Sequence, residues 1–508
     1  MAGNRQLNQF RRIGIAFALP LVIFVGVFIA LPTLNIISGA LHWGAFSDAL
    51  GDDRIRHVLW ITVWQASWST FVAAVIGFPL AVVLAHHSFR GKRVVAAAFS
   101  LPFVLPTVVI ALAAVSLSGG SHPLITIVMT HAYFNVSVVV RVVRSHLQST
   151  VTTFNNAAAT LGAGPFERLR TIDLPIARKS LTSAMTMVFV FCVTSFGVVR
   201  IIGGISATTT EVEIFIRAIQ LGDMPTAVAL SVMQIVFLLL VVAFFRPTAP
   251  TLRSSSVASE YQRALDGAGR FAMWLVGCLF AVPVVVILLK SVRTGGSWST
   301  AGWHGIDNGV LVNSLKFAAG AAVLASLLSV AAVMAVAHAG HASRVVNAFA
   351  SIPVIVSSII LSVGVVSTFN TGWYDFRGSA WLLPVMHAVV ALPVSFRILR
   401  GPIERLTSEH RDAAATLGAS PWTVIATVDL RALRRGLLPM SAVAACISLG
   451  EFGAASVLSR SGSRTVPLEI SRLLGRPGDT NQLQAYALAS ILMITVAVIM
   501  VTLGERDA

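Results

Sequence analysis

The sequence has few charged residues and very little cysteine. Only 11% of its 508 residues are Asp, Glu, Lys or Arg, whereas a soluble domain averages about 25%. A soluble globular fold is therefore excluded. The three cysteines, Cys192, Cys278 and Cys446, show no CxxC spacing and have no histidine nearby. We expect them to be small packing residues, with neither a disulfide nor a metal site.

The sequence also lacks the short motifs that mark common enzymes. It contains no G-x-x-x-x-G-K-[ST] phosphate loop, and the stretch FRGKRV at 89–94 has neither the leading glycine nor the hydroxyl. We find no G-x-S-x-G, no metal-spaced His/Asp cluster and no paired carboxylates in an apolar segment. We therefore predict that this chain is not an enzyme, has no catalytic residues and binds no metal or cofactor.

Hydrophobic residues are abundant instead, at 56% of the chain, with a mean hydropathy of +0.82. They gather into blocks of about 20 residues, the length of an α-helix that crosses roughly 30 Å of hydrocarbon. The runs show no period-2 alternation, which favours helices over barrel strands. The first block runs past 20 apolar residues without an A-x-A-like exit, so we interpret it as a spanning helix and not as a signal peptide. The prediction is an all-α polytopic membrane protein with about twelve transmembrane helices, at 13–38, 58–85, 94–118, 123–143, 180–202, 227–245, 271–292, 311–338, 345–369, 380–400, 436–459 and 482–504.

The positive charge indicates an orientation for these helices. With both termini in the cytoplasm, 25 of the 37 basic residues fall in the inner segments, as the positive-inside rule requires. The formal net charge of +16 then follows from topology, and a nucleic-acid partner is unnecessary. We predict a bacterial inner-membrane protein with cytoplasmic N- and C-termini.

The two halves of the chain repeat each other. The heptapeptide AAATLGA stands at 157–163 and again at 413–419, 256 positions later, and SFG at 195–197 matches EFG at 451–453. His131 matches His387 at the same offset. We predict two six-helix parallel pseudo-repeats, namely a first transmembrane domain at 1–245, a cytoplasmic linker at 246–270 and a second transmembrane domain at 271–508.

The repeated heptapeptide lies in the longest inner loop of each half. Asn156 and Asp412 are N-cap residue types placed directly before three alanines, so they predict a helix start. Gly162 and Gly418 fit a C′ stop, and a proline three residues later restarts a helix in each copy. Small side chains allow a partner to approach closely. An intramolecular interfacial helix is the alternative, but two copies at identical spacing favour a paired docking surface formed by Asn156, Ala157, Ala158, Ala159 and Gly162 and by Asp412, Ala413, Ala414, Ala415 and Gly418.

This pattern resembles the EAA motif of the permeases of ATP-binding-cassette (ABC) importers. Ile172-x-Leu174-Pro175 and Val428-x-Leu430-Arg431 follow the two glycines at the family's spacing. The departures are Asn and Asp where the family prefers Glu, and Arg431 in place of Pro. The resemblance implies that each loop carries a coupling helix that docks on an ATPase subunit. It further implies two separate ATPase subunits that hold ATP and Mg, and an extracytoplasmic solute-binding protein.

A second resemblance concerns the cargo. FVFCVTSFGVVRIIGGISATTTEVEIF at 189–215 and SLGEFG at 448–453 are similar to the fused two-half permeases for thiamine and for ferric iron. The stretch is closer to the thiamine type, so thiamine or its phosphates are the favoured cargo and ferric iron is next. An ion-coupled secondary transporter with internal repeats is the alternative function.

Six residues are candidates for the translocation path. A carboxylate at the depth of Glu451 is costly unless it faces water, a partner or a cargo. Three interpretations of Glu451 remain open: it lines a path for a cation, it pairs with Arg200 or Arg460, or it is simply exposed at the membrane surface. The candidates are Ser195, Phe196, Gly197, Glu451, Phe452 and Gly453, although Phe next to Gly also occurs in ordinary membrane-helix packing.

Aromatic and histidine residues within the spans also need an explanation. Trp60, Trp64 and Trp68 fall on one helical face, where a lipid-facing stripe is favoured over a stacking platform for the cargo. His131 and His387 have no second ligand at helical spacing, so we expect packing or hydrogen-bonding roles.

Overall fold

The computed structural model describes residues 2–43, 45–150, 162, 164–204, 206–245, 263–294, 297–340, 343–354, 356–369, 379–404, 406 and 408–504. These residues are mostly helical, and the fold class predicted from the apolar blocks is confirmed. Two short strand pairs are present. β1 (His87–Ser88) pairs in parallel with β2 (Arg263–Ala264), and β3 (Arg293–Thr294) pairs antiparallel with β4 (Ser297–Trp298).

The described helices of the first half lie between residues 2 and 245. They are α1 Ala2–Val25, α2 Leu31–Trp43, α3 Ala45–Gly51, α4 Asp53–His86, α5 Lys92–Val104, α6 Thr107–Ser118, α7 Pro123–Thr150, α8 Pro165–Arg168, α9 Leu174–Val193, α10 Gly197–Ile202, α11 Thr210–Phe215 and α12 Met224–Phe245. Short π-helical turns at Gly26–Ala30, Leu169–Asp173 and Ile216–Gln220 join some of them.

The second half contains a similar series. Its helices are α13 Gly267–Val292, α14 Asn308–His338, α15 Ser343–Ser351, α16 Ser358–Thr368, α17 Leu382–Glu404, α18 Ser408–Thr416, α19 Pro421–Val424, α20 Leu430–Gly450, α21 Gly453–Leu458, α22 Val466–Leu474 and α23 Asp479–Leu503. A π-helical turn lies at Ile425–Asp429, and 3₁₀ turns lie at Ala301–Trp303 and Ile352–Val354.

Ten helical stretches among the described residues are long and apolar enough to cross a membrane. They account for ten of the twelve predicted blocks. The block at 94–118 is instead a bent pair, because α5 and α6 meet at 98° around Leu105 and Pro106. The block at 345–369 is divided into α15, the 3₁₀ turn Ile352–Val354 and α16. Pro106 and Pro353 lie in these two interruptions, and each removes a helical hydrogen bond because proline lacks an N–H. The expectation of one continuous helix in each of these two blocks was therefore wrong.

The blocks at 180–202 and 436–459 are also interrupted. The helix α9 ends at Val193 and α10 begins at Gly197, while α20 ends at Gly450 and α21 begins at Gly453. Hydropathy does not reveal such breaks, because the residues on both sides are equally apolar. The breaks lie at the SFG and EFG tripeptides.

The chain packs into two compact units. The first unit consists of residues 1–48, 214–232 and 300–508. Its centre is formed by α14, α17 and α20, which meet through a cluster of small side chains: Ala321, Ala322, Ala325, Ala388, Ala391 and Ala444. Small residues let membrane helices approach closely. The helix α1 packs along α14, and at Gly14 an added Cβ would lie 2.5 Å from the Ala339 nitrogen.

The second unit consists of residues 49–213 and 233–299. Its centre is formed by α4, α7 and α9. The helices α4 and α7 come so close at Gly77 that an added Cβ would lie 2.7 Å from the Val139 Cβ. The helix α13 packs on α5 and α6, and the Tyr133 hydroxyl donates to the Phe280 carbonyl over 2.7 Å. Each unit thus contains the first long helix of the opposite half of the sequence.

Residues 246–262 of the predicted linker lie outside the described residues. Its last part is ordered within the second unit, since β2 pairs with β1 and α13 begins at Gly267. The predicted domain limits at 245 and 271 remain a prediction.

The internal repeat extends to individual hydrogen bonds. In the second unit the Thr62 hydroxyl accepts from the Thr210 N–H over 2.9 Å. In the first unit the Ser314 hydroxyl accepts from the Val466 N–H, 256 positions after Thr210, over 2.8 Å. Two different residue types perform the same task, so the repeat preserves the hydrogen bond beyond the identity of the side chain.

Candidate functional site

The second copy of the heptapeptide lies on α18 and the turn that follows it. The three alanines Ala413, Ala414 and Ala415 are helical, as predicted, and Ala413 is exposed. Asp412 is in the middle of the helix, four residues after its start at Ser408. The prediction that Asp412 is the N-cap was therefore wrong. The residues SEH before Arg411 extend the helix by one turn, because nothing in them disfavours helical backbone.

The end of α18 agrees with the prediction in detail. Gly418 has φ +83°, a conformation that residues with a Cβ rarely adopt. The Ala419 N–H donates to the Ala414 carbonyl over 3.1 Å, which is the 6→1 bond of a Schellman motif. Leu417, just before the glycine, is 88% exposed. The turn therefore presents an apolar side chain outward at the tip of the loop.

A second short helix follows the turn. The Ser420 hydroxyl accepts from the Thr423 N–H over 3.2 Å, and Pro421 occupies the first helical position, as expected. Trp422 on this helix is exposed. The predicted helix, turn and helix of the second loop are confirmed.

The first copy of the loop is only partly described. Asn156, Ala157, Ala158 and Ala159 lie outside the described residues. Gly162 has φ +84°, which matches Gly418, and Pro165 again begins a helix. Phe166 is exposed at the position that Trp422 occupies 256 residues later. Both loops thus place an aromatic side chain at the same point after the glycine turn.

Buried aspartates fix the end of each loop to a long helix. Asp429 ends the π-helical turn after α19, and its carboxylate lies 2.7 Å from the His338 Nε2 at the end of α14. In the second unit Asp173 lies 2.9 Å from the His86 Nε2 at the end of α4. We did not foresee these pairs. The aspartates match at an offset of 256, but the histidines match at 252, so one fixed offset does not relate the two pairs.

The candidate path residues of the second unit lie at the break between α9 and α10. Phe196 and Gly197 are buried, and the Ser195 hydroxyl lies 2.8 Å from the His131 Nε2. The other ring nitrogen of His131 lies 2.9 Å from the Gln65 Oε1. The expected hydrogen-bonding role of His131 is confirmed.

The candidate residues of the first unit lie at the break between α20 and α21. Phe452 and Gly453 are buried. The Glu451 carboxylate accepts from the Ala454 N–H over 2.8 Å and is also hydrogen-bonded to Ser358. Among the described residues of this unit no arginine pairs with Glu451, and Arg460 donates to the Ser459 carbonyl instead. The Glu451 carboxylate therefore accepts hydrogen bonds at the break between α20 and α21.

His387 differs from its counterpart His131. Its Nδ1 lies 2.7 Å from the Ser448 hydroxyl, which confirms the predicted hydrogen-bonding role. Its Nε2 is buried and has no hydrogen-bond partner within the described part of the chain. The repeat thus places a histidine at both breaks, and among the described residues both ring nitrogens have a partner at His131 but not at His387.

The remaining predictions concern surfaces and cysteines. Trp60 and Trp68 are exposed on α4, and the Trp64 and Trp68 rings are 6.1 Å apart, which agrees with an outward stripe. Cys192 and Cys446 are buried free thiols, whereas Cys278 is exposed and is not the packing residue that we expected. Within the described ranges no three His, Cys, Asp or Glu side chains are grouped as metal ligands would be.

A further buried carboxylate was not foreseen. Glu469 on α22 is buried and accepts from Arg464, with the Arg464 Nη1 2.9 Å from the Glu469 Oε2, and from Arg472. Burial alone would raise the pKa of Glu469, but the hydrogen bonds and charges of Arg472 and Arg464 outweigh it and hold the pKa below its usual range. With Asp307 and Gln484 these residues line a polar cavity of about 170 Å³.

Comparison with known proteins agrees with the repeated architecture. The family of binding-protein-dependent transport system inner membrane components matches twice, at residues 77–254 and 339–507, which together exceed half of the chain. The thiamine transport system permease protein ThiP of Brucella abortus (strain 2308) is 27% identical over 499 residues, with 92% of this chain and 90% of the relative covered. ThiP of Haemophilus influenzae is 22% identical, covering 94% and 93%, and ThiP of Escherichia coli (strain K12) is 21% identical, covering 92% of each.

These matches confirm the resemblance inferred from the two loops. The relatives are transport subunits and not enzymes. With two family matches, ten membrane-length helices among the described residues and relatives aligned over at least 90% of their length, this chain belongs to the binding-protein-dependent transport system inner membrane components and is a multi-pass permease of an ABC importer.

Proposed function

We propose that this permease imports thiamine or a thiamine phosphate, delivered by an extracytoplasmic binding protein and driven by two separate ATPase subunits. The observation that carries the proposal is the pair of glycine-terminated loops, in which Gly162 and Gly418 share a left-handed backbone conformation. The cargo is supported by the full-length similarity to proteins named thiamine permeases.

The proposed orientation places both loops and both termini in the cytoplasm. It rests on the distribution of basic residues between the segments that join the helices. One ATPase subunit would then dock on each loop. The exposed side chains Leu417 and Trp422 would enter its surface, with Phe166 equivalent to Trp422 in the first loop. ATP and Mg would be held by the ATPase subunits.

The proposed path residues lie at the two helix breaks. A break releases backbone groups from the helical ladder, and such groups are tolerated at membrane depth where they are buried in protein or line a cavity. Ser195, Phe196 and Gly197 occupy one break and Glu451, Phe452 and Gly453 the other. Glu451 supplies negative charge, which suits a cationic cargo. Ferric iron, the second cargo class, is also cationic.

Reconstitution tests the proposal. The permease is co-expressed with its ATPase and binding-protein subunits and placed in proteoliposomes, and uptake of labelled thiamine is compared with uptake of labelled Fe³⁺. We expect thiamine uptake that requires both ATP and the binding protein. Uptake of iron alone would reassign the cargo, and uptake that is driven by a proton gradient without ATP would favour the secondary-transporter alternative.

Two glycine variants test docking on the second loop. Gly418→Arg introduces a large side chain at the exposed turn, where no described atom lies within 4 Å of an added Cβ, and it also strains the left-handed backbone of the turn. Gly401→Ala changes a glycine inside α17, where the described residues likewise leave room for a Cβ and the backbone is helical. We expect Gly418→Arg to lose the co-purified ATPase and Gly401→Ala to retain it.

A further inference from the structure

We propose that Asp429 is a positioning residue that couples the helix α18 to α14 and α1, so that movement of the loop is passed directly to two membrane helices. This inference rests on the proposed docking of an ATPase subunit on the loop. It assigns a role to Asp429, Arg411 and His338.

The carboxylate of Asp429 holds two elements at once. Its Oδ1 accepts from the Arg411 Nε on α18 over 2.9 Å, and its Oδ2 lies 2.7 Å from the His338 Nε2 on α14. The side chain of Asp429 is 0% exposed and that of His338 is 3% exposed. Because each carboxylate oxygen has its own partner, α18 cannot move relative to α14 without loss of a charge-assisted hydrogen bond.

The burial of this arrangement makes it stiff. The Asp429 carboxylate is fully buried and the Arg411 side chain is only 21% exposed, so a broken contact leaves the carboxylate without a hydrogen bond from solvent. The Arg411 Nη2 is also buried and has no hydrogen-bond partner among the described residues. The contact between Arg411 and Asp429 therefore differs from an ion pair on a protein surface.

The helix α1 joins the same assembly. Phe10 stacks on the His338 ring with centroids 5.2 Å apart and an angle of 14° between planes. One turn later Gly14 lies against the backbone of Ala339, and Phe17 is 6.4 Å from the Trp422 ring on α19. The helix α1 therefore contacts His338 and Ala339 at the end of α14 and Trp422 on α19.

The other half of the chain offers an internal comparison. Asp173 and His86 repeat the pair in the second unit. The position that corresponds to Arg411 is Asn155, which carries no positive charge. The guanidinium at this register is thus present in the sequence of the second loop and is replaced by an uncharged amide in the first. We expect the two loops to transmit movement unequally.

The experiment measures two quantities: the amount of cargo transported per ATP hydrolysed, and the distance between α18 and α14. Spin labels are placed on Thr416→Cys in α18 and Leu327→Cys in α14, both exposed, after the exposed Cys278 is changed to Ser. The whole transporter, in nanodiscs with its ATPase subunits, is measured with and without ATP and Mg²⁺. In the transporter that retains Asp429, we expect addition of ATP and Mg²⁺ to change the distance between the two labels by less than about 2 Å, the size of an ordinary helix shift.

The test variants are Asp429→Asn, Arg411→Gln and His338→Gln. We expect each to lower the cargo transported per ATP, by about tenfold for Asp429→Asn, and to lengthen or broaden the distance between labels when ATP binds. The variants are scored only after the ATPase co-purifies in normal amount. Since Arg411→Gln and His338→Gln each remove one contact, they keep the test decisive if Asp429→Asn does not fold.

Asp173→Asn makes the same change in the first loop and tests whether the two loops are unequal. We expect it to lower transport per ATP less than Asp429→Asn does. Wild-type ratios and unchanged distances in the folded variants would overturn the inference. A wild-type transporter that retains no ATPase, or takes up cargo without ATP, would instead contradict the proposed function.

Discussion

Glu213 forms an ion pair with Arg54, in which the Oε2 lies 3.1 Å from the Nη2 and the carboxylate side is fully buried. Glu469 stands 256 positions later and is buried as well, but its arginines come from its own segment, Arg464 and Arg472. The repeat has kept a buried carboxylate that is paired with arginine at both positions. A buried charge needs a partner wherever it lies, so the partner can be exchanged but not omitted.

The pH dependence of stability follows from the low pKa of Glu469. A depressed folded-state pKa contributes stability that is present above the unfolded-state value and is lost as the pH falls through the folded value. We expect Glu469→Gln to lower the Tm by about 3 °C at pH 7 and to lose less Tm than wild type between about pH 5 and pH 3. Differential scanning fluorimetry in detergent measures both. A difference between variant and wild type that is independent of pH would contradict the ion-pair explanation.

The glycine turns predict a second effect, on backbone geometry alone. Gly418→Ala adds only a methyl group, yet it strains a residue with φ +83° and should shift or fray the end of α18. We expect about fivefold weaker association of the ATPase, measured by titration in nanodiscs, because a turn that must be strained to dock lowers affinity by roughly 1 kcal/mol. Gly401→Ala is the control. Equal affinities for both variants would show that the turn is not part of the docking surface.

Glu451 allows charge to be separated from helix capping. Glu451→Gln keeps an Oε1 acceptor for the Ala454 N–H and removes only the negative charge, so the break between α20 and α21 should survive. We expect thiamine uptake to fall about tenfold, because the cationic cargo loses an attractive charge within the membrane. ATP hydrolysis without cargo should be unchanged. Full uptake by Glu451→Gln would remove this residue from the path, and Ser195→Ala tests the matching position.

The tryptophan stripe on α4 predicts an absence of effect. Trp60 is 64% exposed and Trp68 is 47% exposed, and rings placed outward in a membrane protein face lipid. Trp60→Leu with Trp68→Leu should therefore leave the apparent KM and the uptake rate within about twofold of wild type. An increase of the KM by tenfold or more would support the rejected alternative, a stacking platform for the cargo.

The sequence predicts the helices and the loops well for a physical reason. Hydropathy depends on composition, and turns such as Gly418–Pro421 depend on residues with unusual backbone preferences, so both leave a local signal. The helix breaks near Ser195 and Glu451 leave none, because their flanks are equally apolar. The start of α18 was misplaced because an Asp before alanines suits both a cap and a helix interior.

Contacts between distant residues were the least predictable part of the site. Nothing in the segment that contains Asp429 points to His338, which is 91 positions earlier in the chain. The sequence of α1 likewise does not indicate that it packs on the second half of the chain, since an apolar helix matches any apolar neighbour. Such pairings are determined by the three-dimensional fold and leave no local signal in the sequence.

The position of α1 has a consequence for biogenesis. The helix α1 leaves the ribosome well before α14, on which it packs and which begins at Asn308. At about 5–20 residues per second, roughly 15–60 s of synthesis separate the two helices. During that interval α1 is without its eventual neighbour, so the cell's insertion machinery or the surrounding lipid must shelter it until the second half of the polypeptide arrives.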